Sequence, residues 1–110
     1  MIHETTLTVP ADHPAFAGHF PGQPILPGVV LLGWAARALE GIIGRPALPC
    51  EIGAAKFLRP VGPGAVLTIR HSEQAQGVWR FEVLGAAGPV ASGTLRSAAP
   101  IPLDSRELPQ

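Results

Sequence analysis

A histidine in a segment rich in proline and glycine is the residue of this chain best suited to acid–base chemistry. His19 lies between Gly18 and Phe20, inside the segment that runs from Pro10 to Gly28. The prolines of this segment fix their own φ angles and bias the residues before them toward extended conformations. A stiff loop holds an imidazole in place, and an imidazole titrates near neutral pH, so His19 suits the removal of a carbon-bound proton. The spacing alone leaves a purely structural role for His19 open.

Gly28 provides a second chemical group at the end of the same segment. It begins a predicted helix, where backbone N–H groups without helical partners and the positive end of the helix dipole suit a developing oxyanion. Because glycine has no Cβ, we expect a substrate to approach this N–H closely. The sequence therefore predicts a base, His19, and an oxyanion donor, Gly28, within one loop-to-helix segment.

The other histidines and the single cysteine are predicted to be structural. His13 precedes a proline at the loop entrance and suits capping or packing, whereas His3 and His71 fall on predicted strands and are expected at the surface. His13 and His19 lack a third ligand at a suitable spacing, so no metal site is predicted. Cys50 lies at the mouth of a strand, where a small buried thiol is the ordinary interpretation.

One long helix and five strands are predicted to position these residues. The helix is expected from Val29 to about Ile43, closed by Gly44 and Pro46. It is apolar almost all round, so we expect other structure to wrap it. The strands are predicted at 4–9, 52–58, 66–72, 78–84 and 90–95, with tight turns at 60–64, 76–77 and 86–88. This order indicates an α+β fold in which one central helix packs on one curled antiparallel sheet.

Length and composition restrict the possible classes of protein. The chain has 110 residues, which suits one domain, predicted over 1–97, followed by a proline-rich C-terminal tail at 98–110. With 46% hydrophobic and 15% charged residues, an oligomer is favoured over a monomer. The formal net charge is zero, which argues against binding to nucleic acid. No secretory signal or membrane span is expected, and an unpaired cysteine fits the cytoplasm.

The run from Gly18 to Gly28, GHFPGQPILPG, resembles a known active-site signature. It is the signature of the hot-dog-fold 3-hydroxyacyl-acyl carrier protein dehydratases of bacterial fatty-acid synthesis and of their relatives in polyene-pigment pathways. The segment from Lys56 to Gly64 also resembles the stretch through which that family enters its sheet. The resemblance implies a hot-dog dimer, or an oligomer of dimers, in which one continuous sheet wraps two helices and both active sites lie at the subunit interface.

The same resemblance implies roles for individual residues. His19 would remove the α-proton of a 3-hydroxyacyl thioester, and the Gly28 N–H would bind the thioester oxygen. Four further residues, Phe20, Pro27, Val29 and Gly33, would contact the substrate, with Val29 at the entrance to the acyl tunnel. The substrate would be carried on the phosphopantetheine of an acyl carrier protein, and no other cofactor and no metal would be needed. Arginines at 37, 45 and 59 are candidates for meeting that acidic carrier.

One position departs from the pattern of the family. Fourteen residues after the histidine, the family holds an Asp or Glu that acts from the partner's helix and protonates or orients the departing hydroxyl group; at that position this chain has Gly33. Loss of a general acid is expected to lower the rate by about 10²–10⁴. Three functions are therefore possible. The first is a dehydratase or hydratase in which His19 returns its own proton to the departing hydroxyl. The second is a catalytically silent acyl-binding or partner subunit of a hot-dog heterodimer, and the third is an acyl thioesterase.

Overall fold

The computed structural model describes residues 2–16, 25–47 and 50–97, with the side chain of residue 97 outside that description. One short 3-10 helix, one α-helix and five strands lie in these ranges. Their bounds are β1 Ile2–Thr8, a 3-10 helix Pro14–Phe16, α1 Gly28–Ile43, β2 Cys50–Phe57, β3 Val66–Ala75, β4 Val78–Gly85 and β5 Gly88–Ser97. The predicted order of elements is confirmed; the proline-rich tail, 98–110, lies outside the described residues.

The five strands form one antiparallel sheet in the order β1-β3-β4-β5-β2. Neighbouring strands β3, β4 and β5 are joined by tight turns, and Gly77 and Gly88 take the positive φ that these turns require. β1 and β2 are the edges, so each offers one row of backbone groups with no partner strand among the described residues. β2 follows the helix directly and crosses to the edge beside β5.

The α1 helix packs on one face of this sheet and buries its apolar side there. Gly44 ends it in the left-handed conformation, with φ 70°, as the sequence predicts. On the helix Leu31, Ala35 and Leu39 are buried, and they meet alternate residues of the central strands, since side chains alternate between the two faces of a strand. The strand residues of this core include Leu67, Ile69, Phe81, Val83, Ala91 and Leu95.

His71 differs from its predicted position at the surface. It is fully buried on β3, and its Nε2 lies 2.8 Å from the carbonyl oxygen of Ala35 in the middle of α1. The neutral imidazole donates its Nε2–H to that oxygen, and Nδ1 has no hydrogen-bond partner among the described residues. Desolvation by burial lowers the pKa of His71 and outweighs the hydrogen bond to Ala35, which raises it. The prediction was wrong because position 71 falls on the face of β3 that packs against the helix.

No helix within the described ranges is long and apolar enough to cross a membrane.

Candidate active site

The two ends of the proline-rich loop are fixed by the same turn. At the start of the loop, the Val9 N–H donates to the Ala65 carbonyl, and the Gly64 N–H donates to the Val9 carbonyl. At its end, the Leu26 N–H donates to the Val61 carbonyl at 2.8 Å, and Leu26 is buried. The turn at 60–64, which the sequence predicts only as a connection between strands, therefore also holds the loop at both ends.

The centre of the loop is not part of the described structure. Residues 17–24 are outside it, and they include two sequence-predicted site residues, His19 and Phe20. What the structure describes is the framework on either side of them.

His13, on the near side of the gap, has the capping and packing role predicted for it. Its Nδ1 accepts a hydrogen bond from the Ala15 N–H at 3.0 Å, and its ring packs edge-on against Phe16 and Trp34. His13 thereby attaches the entrance of the loop to the helix.

The N-terminus of α1 faces an open cavity. Pro27 precedes the helix with φ −60° and ψ 141° and makes no side-chain cap hydrogen bond. The first described helical bond runs from the Val30 N–H to the Pro27 carbonyl at 3.0 Å. The cavity beside this helix end measures about 550 Å³ and is lined by residues 25–29, 31 and 57–60. Helix N–H groups without intrahelical partners thus lie next to a mainly apolar space, and such groups can stabilise a developing oxyanion.

A different contact explains why residue 28 is a glycine. A Cβ placed on Gly28 would lie 2.7 Å from both Cε1 and Cζ of Phe57, closer than such contacts occur. The ring of Phe57 therefore occupies the space that the sequence analysis assigned to an approaching substrate. Gly28 is needed for this packing, and it also lines the cavity.

The predicted substrate-binding residues separate into two groups. Pro27 and Val29 line the cavity together with Gly28, and Val29 has 73% of its surface exposed. Gly33 is exposed further along the helix and is not among the cavity-lining residues. A Cβ on Gly33 would meet nothing within 4 Å, so packing inside this chain does not require a glycine there.

Other reactive groups do not form a second centre in the described ranges. Cys50 is partly buried, and desolvation raises the pKa of its thiol, which disfavours the nucleophilic thiolate. Within residues 2–16, 25–47 and 50–97, no group of three or more His, Cys, Asp or Glu side chains could hold a metal ion.

Comparison with known proteins identifies the family. The sequence profile of the ApeI-like family, described as ApeI dehydratase, matches residues 2–94. This chain belongs to the ApeI-like dehydratase family. The resemblance seen in the segment from Gly18 to Gly28 is thereby confirmed at the level of the family.

Curated relatives of this ApeI-like chain carry the name 3-hydroxyacyl-[acyl-carrier-protein] dehydratase FabZ. The protein of Verminephrobacter eiseniae is 37% identical over 93 residues, covering 73% of this chain and 61% of the relative. That of Chlamydia trachomatis is 44% identical over 71 residues, covering 56% of this chain and 46% of the relative. The chain thus spans about half to three fifths of the length of these relatives.

Solved structures confirm the hot-dog fold. The dehydratase heterocomplex ApeI:P from Xenorhabdus doucetiae matches with a TM-score of 0.72 at 23% identity, over 86% of this chain and 85% of that one. An uncharacterised protein from Erwinia carotovora subsp. atroseptica matches with a TM-score of 0.69 at 28% identity, over 86% and 81% of the two chains. The predicted fold, one central helix on a curled antiparallel sheet, is therefore correct.

Proposed function

We propose that this chain acts on 3-hydroxyacyl thioesters, removing water from them or adding it back, in fatty-acid or polyketide-type lipid biosynthesis. The observation that carries this proposal is the N-terminus of α1, which has no side-chain cap and faces an apolar cavity of about 550 Å³ at Gly28. Membership of the ApeI-like dehydratase family and the names of the FabZ relatives support it. These names also favour a dehydratase over the thioesterase alternative.

In this proposal the reaction proceeds through an enolate. His19 takes the proton from C2 of the substrate, and negative charge moves to the thioester oxygen, where the Gly28 N–H binds it. The C3–O bond then breaks, the C2–C3 double bond forms, and the leaving hydroxide takes a proton to become water. No cofactor other than the phosphopantetheine that carries the substrate takes part in these steps.

Gly33 determines where the proton for the leaving group comes from. Without a carboxylate at this position, the protonated His19 returns its proton to the departing hydroxyl, which is possible when both groups leave from the same face. We expect this single-base route to be slower by about 10²–10⁴ than a route with a separate acid.

Hydration of an enoyl thioester tests the proposal directly. Absorbance of the conjugated thioester is followed with crotonyl thioesters of acyl carrier protein and of coenzyme A. We expect slow turnover by the wild type, loss of turnover in His19→Ala, and an increase in Gly33→Asp. A Cβ at position 33 has free space in the described chain, so the Gly33→Asp variant is expected to fold. Turnover that survives His19→Ala would contradict the assignment of the base.

The second candidate function is that of one subunit in a heterodimer with a related hot-dog chain, and one observation favours it. Gly33 leaves the acid position without a carboxylate. Packing within this chain does not require a glycine there, because a Cβ on Gly33 would meet nothing within 4 Å. We infer that a non-identical hot-dog chain with a carboxylate at this position could complete the site, since the similar structure from Xenorhabdus doucetiae is described as a heterocomplex. A homologue from the same source, mixed with this chain, would then raise turnover well above the sum of the two separate proteins. An additive rate would reject this candidate.

The same proposal covers how two chains assemble and where an acyl carrier protein docks. The free edge of β2 lies beside the cavity, and Ile52 and Phe57 are exposed on it, so we propose that two hot-dog chains join along this edge in the cytoplasm. Arg59 lines the cavity and lies beside Gly88, and its positive charge supports the proposal that an acidic acyl carrier protein docks at this end of the chain. Arg37 and Arg45 remain weaker candidates, since neither lines the cavity.

A further inference from the structure

A β-bulge interrupts the pairing of β2 with β5. Pairing is regular as far as Gly53 and resumes at Lys56, one residue out of step. Between them Ala54 and Ala55 oppose a single residue of β5, Gly93, which is the arrangement of a bulge. Ala54 takes φ 49°, a conformation that residues with a Cβ rarely adopt. Such strain persists only where the surrounding structure holds it in place, and it is found frequently near functional sites.

The bulge decides which face of the sheet carries Phe57. Ile52 pairs with Leu95, a buried residue of the helix-facing side. Regular alternation from Ile52 would turn Lys56 toward the helix and Phe57 away from it. With the extra residue, Phe57 instead pairs with Ala91, which is also buried on the helix side. Because of the one extra residue in β2, Phe57 rather than Lys56 faces the helix.

Phe57 thus contacts the helix N-terminus and lines the same cavity as Gly28. Its Cε1 and Cζ approach the backbone of Gly28 so closely that a Cβ there would lie 2.7 Å away. The remainder of the ring lines the cavity, and 52% of the surface of Phe57 is exposed. The same ring thus touches the first helical residue and the space that this residue faces.

We propose that Phe57 is a positioning residue for the Gly28 N–H. The ring packs on the first turn of α1, which has no side-chain cap of its own, and so fixes the direction in which this N–H points into the cavity. The bulge at Ala54 places Phe57 on the helix-facing side of β2, where its ring reaches the first turn of α1. This inference rests on the proposed function, because the Gly28 N–H matters for catalysis only if it binds the thioester oxygen.

Kinetics of Phe57 and Gly28 variants test the coupling between the two residues. Because a misplacement of about 1 Å can cost about 10²-fold, we expect Phe57→Ala to lower kcat by roughly 10- to 100-fold. The KM for a crotonyl thioester should change less than about threefold, since the ring directs a transition-state contact. Phe57→Leu, which keeps an apolar group on Gly28, should recover most of kcat.

A double-variant cycle distinguishes positioning from two separate effects. Gly28→Ala displaces the ring, so it should lower kcat about as much as Phe57→Ala does. In the Phe57→Ala background the new Cβ has space, and we expect at most about a twofold further loss because the two residues act as one unit. Losses that multiply, or an unchanged kcat in Phe57→Ala, would overturn the inference.

An NMR measurement decides the same question without turnover. The ring current of Phe57 shifts the resonances of Gly28, and Phe57→Ala should move them and speed exchange of the Gly28 amide hydrogen. Val66→Ala is the matched control, because Val66 is an apolar residue of similar exposure, 57%, outside this cavity, and it should change neither kcat nor the Gly28 signals. If the wild type shows no turnover, the proposed function fails, while unchanged Gly28 signals and exchange in Phe57→Ala would refute the positioning role.

Discussion

Phe81 and Phe57 are the same type of residue in two regions of very different construction. Phe81 lies at the centre of the sheet, is fully buried, and packs so closely on Gly93 that a Cβ there would lie 2.9 Å from the ring. Phe57 lies at the end of the edge strand β2 and is about half exposed. The central ring is enclosed by its own chain, whereas the edge ring packs on the first residue of the helix and lines an open cavity.

The difference shows how stability and function are distributed in this chain. In the centre, apolar side chains of α1 and of strands β3, β4 and β5 bury one another. Around the cavity, Val29, Phe57 and Leu58 remain exposed. A group of exposed apolar residues in one place indicates a surface that binds something else. The centre therefore supplies the stability of the fold, and the cavity end is the surface at which we propose that substrate and partner bind.

Replacing each of the two phenylalanines with alanine should give the largest difference in the free energy of unfolding between the two regions. Phe81→Ala leaves a cavity in the core and is expected to lower the free energy of unfolding by about 3–5 kcal/mol. In an isolated chain, Phe57→Ala removes a half-exposed ring, for which about 1 kcal/mol is expected. Urea unfolding followed by circular dichroism measures both values. Equal losses would show that the edge ring is buried in solution, for example by a second chain.

We expect the free energy of unfolding to depend on pH through His71, which is buried in the centre of the fold. Burial lowers the pKa of His71 below its ordinary value of 6.5, so the folded chain binds this proton less readily than the unfolded chain does. The contribution of His71 to stability is complete above pH 6.5 and is lost as the pH falls toward its lowered folded-state value, with a slope of up to about 1.4 kcal/mol per pH unit.

The matched variant for this pH dependence is His71→Gln. A glutamine amide can still donate to the Ala35 carbonyl but does not titrate. The free energy of unfolding, measured from pH 7.5 to 5, should therefore lose most of its pH dependence in this variant. A pH dependence equal to that of the wild type would exclude His71 as the responsible group.

The exposed glycines of α1 should give the smallest effects. Gly33 and Gly41 lie on the exposed side of the helix, and a Cβ on either would meet nothing within 4 Å. In an isolated chain, Gly33→Ala and Gly41→Ala should each raise the free energy of unfolding by about 0.5–1 kcal/mol, because alanine favours the helix. Thermal unfolding at several protein concentrations measures this. A loss of stability instead would show that the helix packs closely against another chain at that position.

The order and type of the main elements could be predicted from the sequence. Period-2 alternation at Trp79, Phe81 and Val83 marks β4, and Gly44 marks the end of α1, which the structure places at Ile43. The structure extends β3 and β5 beyond their predicted bounds, because hydrogen bonding to a neighbouring strand continues into residues whose own pattern is not strand-like. The family, too, could be recognised from the segment between Gly18 and Gly28.

Local pattern and chain order thus determined the helix and the strands; the stiffness of the loop around His19 stays a prediction, and the empty acid position at Gly33 is what the resemblance to the family implies. Tertiary structure decided that His71 is buried, that the turn at 60–64 holds both ends of the loop, and that Phe57 lies on Gly28. The last of these depends on one extra residue in β2, and a bulge is a property of two paired strands. Its position is set by which residues of β2 and β5 find partners, and this cannot be read from either strand alone.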